Sequence, residues 1–133
     1  MELIRNYLIT FIVYFTIEMV WLGLLARKIY EKHLGYLMAD KPNLMVSLIY
    51  FIIVVWGLIF FAIYPALTKS SLSYAIIAGA LFGFMTYATY IMTNLATLKD
   101  WPLFITLIDV SWGTVLNSQT AGLSFYIIKM FIK

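Results

Sequence analysis

Two carboxyl groups stand where an apolar solvent makes them expensive. Glu18 and Asp109 lie inside long apolar runs, and an ionisable group at the centre of a membrane helix costs about 2.5–3.5 kcal/mol on insertion scales. Acids kept at that cost carry protons, bind cations or do acid–base work on a substrate. Glu18 is about four residues past the midpoint of its run (3–25), hence about 6 Å off centre at 1.5 Å per residue. Asp109 is about four residues before the midpoint of a run in the opposite direction (102–123), about 6 Å off centre toward the same face. The acids therefore share a depth and a leaflet on different helices. The face nearer to them is side B, the other side A.

Neighbouring polar residues converge on that depth. On a helical wheel Thr86, Tyr90, Thr93 and Thr97 form one stripe, with Asn94 at its flank. Toward side A the stripe continues as Ala75, Gly79 and Gly83, and the glycines' GxxxG spacing lets another helix approach closely. Thr106, Asp109, Gly113, Asn117 and Thr120 make a matching face on the last run. Tyr7, Tyr14, Glu18 and Trp21 share a face on the first, while Ser47 and Tyr50 bring polar groups of the second into the side-B half. These patterns predict a polar pocket in one leaflet lined by Glu18, Tyr50, Thr86, Tyr90, Thr93, Asn94 and Asp109. Gly79, Gly83 and Gly113 are expected to pack helices.

Each feature also has a plainer explanation. GxxxG is common in membrane helices, and helical hydroxyls bond back to their own backbone. Two protonated carboxyls can tie helices together without further chemistry. Trp21, Trp101 and Tyr64 suit interfacial aromatic belts, and His33, the single histidine, suits a surface position. With one histidine and no cysteine, a transition-metal site is not expected. No cofactor is expected either, since nucleophile elbow, Walker loop and dinucleotide fingerprint are all missing from the sequence.

The elements that must position these residues follow from composition. The chain has 133 residues, 64% apolar and 11% charged, against roughly 45–50% and a quarter in soluble domains. A chain this short cannot bury that much apolar surface in water, so the lipid bilayer is its expected solvent. Charge is scattered, nine Lys and Arg against six Asp and Glu, which excludes a basic nucleic-acid-binding face. A span needs about 20 residues, and four runs supply them: 3–25, 44–64 ended by Pro65, 72–95, and 102–123, which could continue to 131 either by tilting or through a break near 117–122. The expectation is one all-α domain over 1–133, a bundle of four transmembrane helices. The first run is too long for a cleaved signal peptide. The connection 26–43 places Tyr30, Leu34, Leu37 and Met38 on one face, as an amphipathic segment at headgroup level. Arg27, Lys28, Lys32, Lys41 and Lys99 on side B nearly balance Arg5, Lys69, Lys129 and Lys133 on side A, so the positive-inside rule gives side B only a slight cytoplasmic preference.

The segments WLGLLARKIYEKHLG (21–35), YPALTKSS (64–71) and TYATYIMTNLATLKDWPLFITLIDVSWGTVL (86–116) resemble the bacterial membrane proteins grouped as domain of unknown function 2177. The resemblance covers almost the whole chain and is most specific from Thr89 to Leu116. It implies four transmembrane helices in a bacterial cytoplasmic membrane and no established activity. Thr93, Asn94, Leu95, Ala96, Thr97, Trp101, Pro102, Asp109, Trp112 and Gly113 match the family's most recognisable motif, which adds Trp112 to the pocket candidates. Glu18 stands where the family is expected to carry an acid before Trp-Leu-Gly. Ile91 stands where another acid is expected, so the chemistry falls to Glu18 and Asp109 or is absent.

Three functions fit these residues. The first is passage of a proton, ion or small molecule through a homo-oligomer, because four helices make a narrow monomer. The second is an intramembrane enzyme, or enzyme subunit, doing acid–base chemistry on a lipid or isoprenoid. The third is an assembly protein whose polar residues join helices. Passage is the leading expectation, although side A offers it only Tyr7, Thr10, Asn117, Gln119 and Thr120.

Overall fold

The computed structural model describes residues 1–39, 41 and 43–132. Asp40 and Pro42 of the 26–43 connection, and Lys133 of the side-A charges, lie outside the described residues. The chain forms four helices: α1 (Glu2–Leu37), α2 (Leu44–Lys69), α3 (Leu72–Thr97) and α4 (Leu103–Ile132). No strand occurs among the described residues. Length and composition qualify α1, α2 and α3 as membrane spans. α4 is 30 residues long but too polar to qualify on composition, and its polar groups are turned inward. Thr106, Asp109, Asn117, Thr120 and Ser124 are all buried. The bundle's outside is correspondingly apolar, with Leu24, Phe60, Met85 and Leu103 exposed. In hydrocarbon that arrangement is the soluble one, and the chain is an all-α polytopic membrane protein, a bundle of four transmembrane helices.

Two helices outrun their expected ends, each through a π-helical turn. α1 continues past residue 25 by way of Leu22–Ala26 to Leu37. A regular α-helix would carry Tyr30 about a third of a turn away from Glu18. The wider turn, closed by i→i+5 bonds, returns Tyr30 toward the face that holds Glu18. The amphipathic segment is therefore helix that dips back into the bundle. In α2, Pro65 lacks an N–H and crowds the carbonyl four residues earlier, which normally ends a helix. Here that carbonyl belongs to Phe61, within the π turn Ile59–Ile63, and the helix runs on to Lys69. Ser70 then takes a left-handed conformation (φ 50°, ψ 43°), and the Ser71 N–H donates to the Ala66 carbonyl at 3.0 Å. Ser71 also caps α3, its Oγ accepting from the Tyr74 N–H at 3.0 Å. This two-residue turn sets α2 and α3 antiparallel.

α3 and α4 share the closest packing. A ridge of four-residue spacing, Ala75, Gly79, Gly83, lies against Gly113, Asn117 and Ala121 of α4. A Cβ on Gly79 would come within 2.6 Å of the Asn117 carbonyl oxygen, and one on Gly83 within 2.8 Å of Asn117 Nδ2. The ridge continues into Tyr87 and the fully buried Ile91. It does not continue into Thr86, Thr93 and Thr97, as the wheel suggested, because a four-residue ridge drifts about 40° around the helix at each step. α4 passes through 117–122 without a break.

Candidate functional site

The buried face of α1 holds Asn6, Thr10, Tyr14 and Glu18, one residue per turn. Tyr7 belongs elsewhere, its hydroxyl donating to the Ile52 carbonyl on α2 at 3.1 Å. Trp21 stacks its ring on Trp112 of α4, centroids 4.6 Å apart and planes within 14°. Both indole N–H groups are buried without a hydrogen-bond partner among the described residues. Glu18 is buried with its Oε2 likewise unpartnered, beside the Trp112 indole and within electrostatic reach of Asp109.

Asp109 takes a hydrogen bond that the spacing of residues did not disclose. The Tyr30 hydroxyl donates to its Oδ1, and its other oxygen makes no hydrogen bond among the described residues. Three more tyrosines are linked through their hydroxyls. Tyr14 and Tyr50 hydroxyls are 3.4 Å apart, and Tyr50 donates to Tyr87 at 3.5 Å. The Tyr87 ring lies where a Cβ on residue 113 would be, so Gly113 is what admits it to the interior.

Together these groups border a cavity of about 690 Å³ in the side-B half. α1 contributes Tyr30 and Leu34, joined by Met38 just past its end; α2 contributes Val46 and Tyr50, α3 Thr86, Tyr87 and Tyr90, and α4 Asp109. Of the sequence candidates, Tyr50, Thr86, Tyr90 and Asp109 meet here. Glu18 lies outside the lining, next to Asp109. Trp112 lines a separate hollow with Trp21, Phe104 and Ser111. Thr93 is exposed and its hydroxyl returns to the Thr89 carbonyl, and Asn94 is outside the lining. Thr86 also bonds back, to the Phe82 carbonyl at 2.8 Å.

The lining residues that sequence reasoning missed are Tyr30, Leu34, Met38, Val46 and Tyr87. Tyr30, Leu34 and Met38 had a signal, their common face, but no residue type announces the π turn that swings them inward. Tyr87 follows Gly83 by one step of the glycine ridge, and extending that ridge identifies it. His33 leans on the Phe104 ring, centroids 4.8 Å apart, with Nδ1 3.0 Å from the Ile29 carbonyl oxygen. No group of three or more His, Cys, Asp or Glu side chains suited to a metal occurs among the described residues.

The sequence model of a family described as "Predicted membrane protein (DUF2177)" matches residues 3–126. No curated protein and no solved structure matches the chain.

Proposed function

This chain belongs to the DUF2177 family of predicted membrane proteins, and we propose that its side-B cavity binds a small amphipathic cation and passes it through the membrane. One observation carries the reading: a buried carboxylate with a free oxygen borders a cavity walled by four tyrosines, Tyr30, Tyr50, Tyr87 and Tyr90. Aromatic faces attract cations by about 0.5–2 kcal/mol each, most when desolvated, and Asp109 supplies the opposite charge. Leu34, Met38 and Val46 offer the apolar body of the ligand its contact. The volume falls in the range of small-molecule sites, roughly 300–1,000 Å³. The cavity serves one leaflet, so passage takes a homo-oligomer in the bacterial cytoplasmic membrane.

Tetraphenylphosphonium, titrated calorimetrically into the detergent-solubilised protein, tests this. The wild type is expected to bind it, and Asp109→Asn, which keeps the side chain's size, to bind at least about tenfold more weakly. Equal affinities would remove Asp109 from the site and the proposal with it. The closeness of Glu18 to Asp109 favours a second reading, acid–base chemistry on a lipid, which predicts conversion of a retained lipid in place of its unchanged release.

A further inference from the structure

We infer that a proton pathway leads from side A along the α1–α4 interface to Glu18. The antiparallel register of the two helices is pinned at both ends. Trp21 stacks on Trp112 toward side B, and the Arg5 guanidinium lies over the Phe131 ring, 5.6 Å from its centroid, toward side A. Between these pins each turn back along α1 matches a turn forward along α4. Glu18 is then level with Asn117, Tyr14 with Thr120, and Thr10 with Ser124. At the side-A end Arg5 Nε donates to Asn6 Oδ1 at 3.1 Å.

Thr10 donates to the Asn6 carbonyl at 2.9 Å, but what distinguishes the rest of the row from helix glue is that the Glu18 carboxyl and the α4 side chains are not paired with one another. Glu18 Oε2, Asn117 Oδ1, Thr120 Oγ1 and Ser124 Oγ are buried with no partner among the described residues. Thr86, Thr89, Thr93, Thr97, Thr106 and Thr114 show the alternative, each bonded to the carbonyl four residues earlier. Thr120 and Ser124 sit on an equally regular helix and leave that bond unmade. Buried polar atoms in native proteins have partners, and a row of orphans one turn apart suits water, which takes two to four such bonds. A hydroxyl–water file moves a proton without moving an ion. The proton entering at Arg5 and Asn6 ends on the Glu18 carboxylate as a carboxylic acid.

At its end Glu18 faces Asp109 and Trp112 of α4, Tyr14 and Tyr30 of its own helix and Tyr87 of α3, with Tyr50 of α2 behind Tyr14. Protonation of Glu18 therefore leaves Asp109 as the anion of the cavity. That last consequence rests on the cation-binding reading, and the pathway itself does not.

Rapid-mixing infrared spectroscopy of the full-length protein in proteoliposomes follows the Glu18 carboxyl band after a pH jump, with Glu18→Gln identifying the band. The double variant Thr120→Val, Ser124→Ala removes two hydroxyls at nearly constant size. It is expected to slow the band at least about tenfold, with tetraphenylphosphonium affinity unchanged. An unchanged rate overturns the pathway. Loss of cation binding in the wild type, with the rate still hydroxyl-dependent, overturns the cavity proposal instead. Ser124→Cys gives a second reading that needs no double variant, because the chain has no cysteine of its own. Its S–H stretch in the infrared is expected to shift on transfer into deuterated buffer, and a thiol that keeps its proton contradicts a hydrated route.

Discussion

The same pair of helices, α3 and α4, is closed in one leaflet and open in the other. Toward side A, Gly79 and Gly83 bring the α3 backbone onto Asn117 and Ala121 so closely that even a methyl group has no room. One and two turns further on, the ridge changes from glycine to Tyr87 and Ile91, and a cavity of about 690 Å³ stands beside it. Side-chain size along a single stripe thus acts as a wedge. Small residues clamp the bundle at one end, and a ring resting on Gly113 spreads it at the other. A membrane bundle has no hydrophobic drive between helices and relies on close packing, so the clamp is what allows the other half to stay open.

Gly83→Leu attacks the clamp and carries the largest expected effect. Its side chain has to displace the α4 backbone at Gly113, a loss of about 3 kcal/mol or more. Thermal unfolding in detergent should show a collapsed midpoint, and a normal one would mean that the helices are not in contact there. Gly113→Ala attacks the wedge. A methyl group there meets the Tyr87 ring, so a loss of about 1–3 kcal/mol is expected. Weaker tetraphenylphosphonium binding should accompany it, since the displaced ring borders the cavity. Tyr30→Phe leaves the wedge intact and removes only the hydroxyl held by Asp109. A hydrogen bond to a charged group contributes about 1.5–3 kcal/mol to stability, so thermal unfolding in detergent should register its removal, and an unchanged midpoint would mean that the bond is not made. Thr93→Val, on the exposed back-bonded stripe, is expected to change stability by less than about 0.5 kcal/mol and binding not at all. A large effect of Thr93→Val would return that stripe to the site.

The parts of this architecture that were open to sequence reasoning are those governed by composition and spacing. Four apolar runs gave the helices, opposite chain direction put Glu18 and Asp109 at one depth, and GxxxG marked the clamp. The two π turns were closed to it, because Leu22–Ala26 and Ile59–Ile63 are ordinary apolar stretches whose widening depends on tertiary context. Tyr30 was missed for that reason, and with it the hydrogen-bond partner of Asp109. The fixed-direction stripe failed on α3 because a ridge of four-residue spacing drifts about 40° at each step, which let the threonines stand in for Tyr87 and Ile91. It also paired Tyr7 with Glu18, whereas the buried face runs Asn6, Thr10, Tyr14, Glu18. α4 shows the converse lesson: a helix too polar to qualify on composition can turn its polar groups toward the bundle and keep Leu103, Leu107 and Leu123 on its outer face.

The contrast between the halves is most directly measured by thiol accessibility, because the chain contains no cysteine. Thr86→Cys places one thiol on the cavity wall, and Ala75→Cys places one in the closed seam. A cationic methanethiosulfonate applied to proteoliposomes is expected to modify Thr86→Cys rapidly, more slowly when tetraphenylphosphonium is present, and to leave Ala75→Cys unmodified. Equal reactivity at the two positions, or modification of Thr86→Cys that the cation does not slow, would contradict an open cation-binding half beside a closed one.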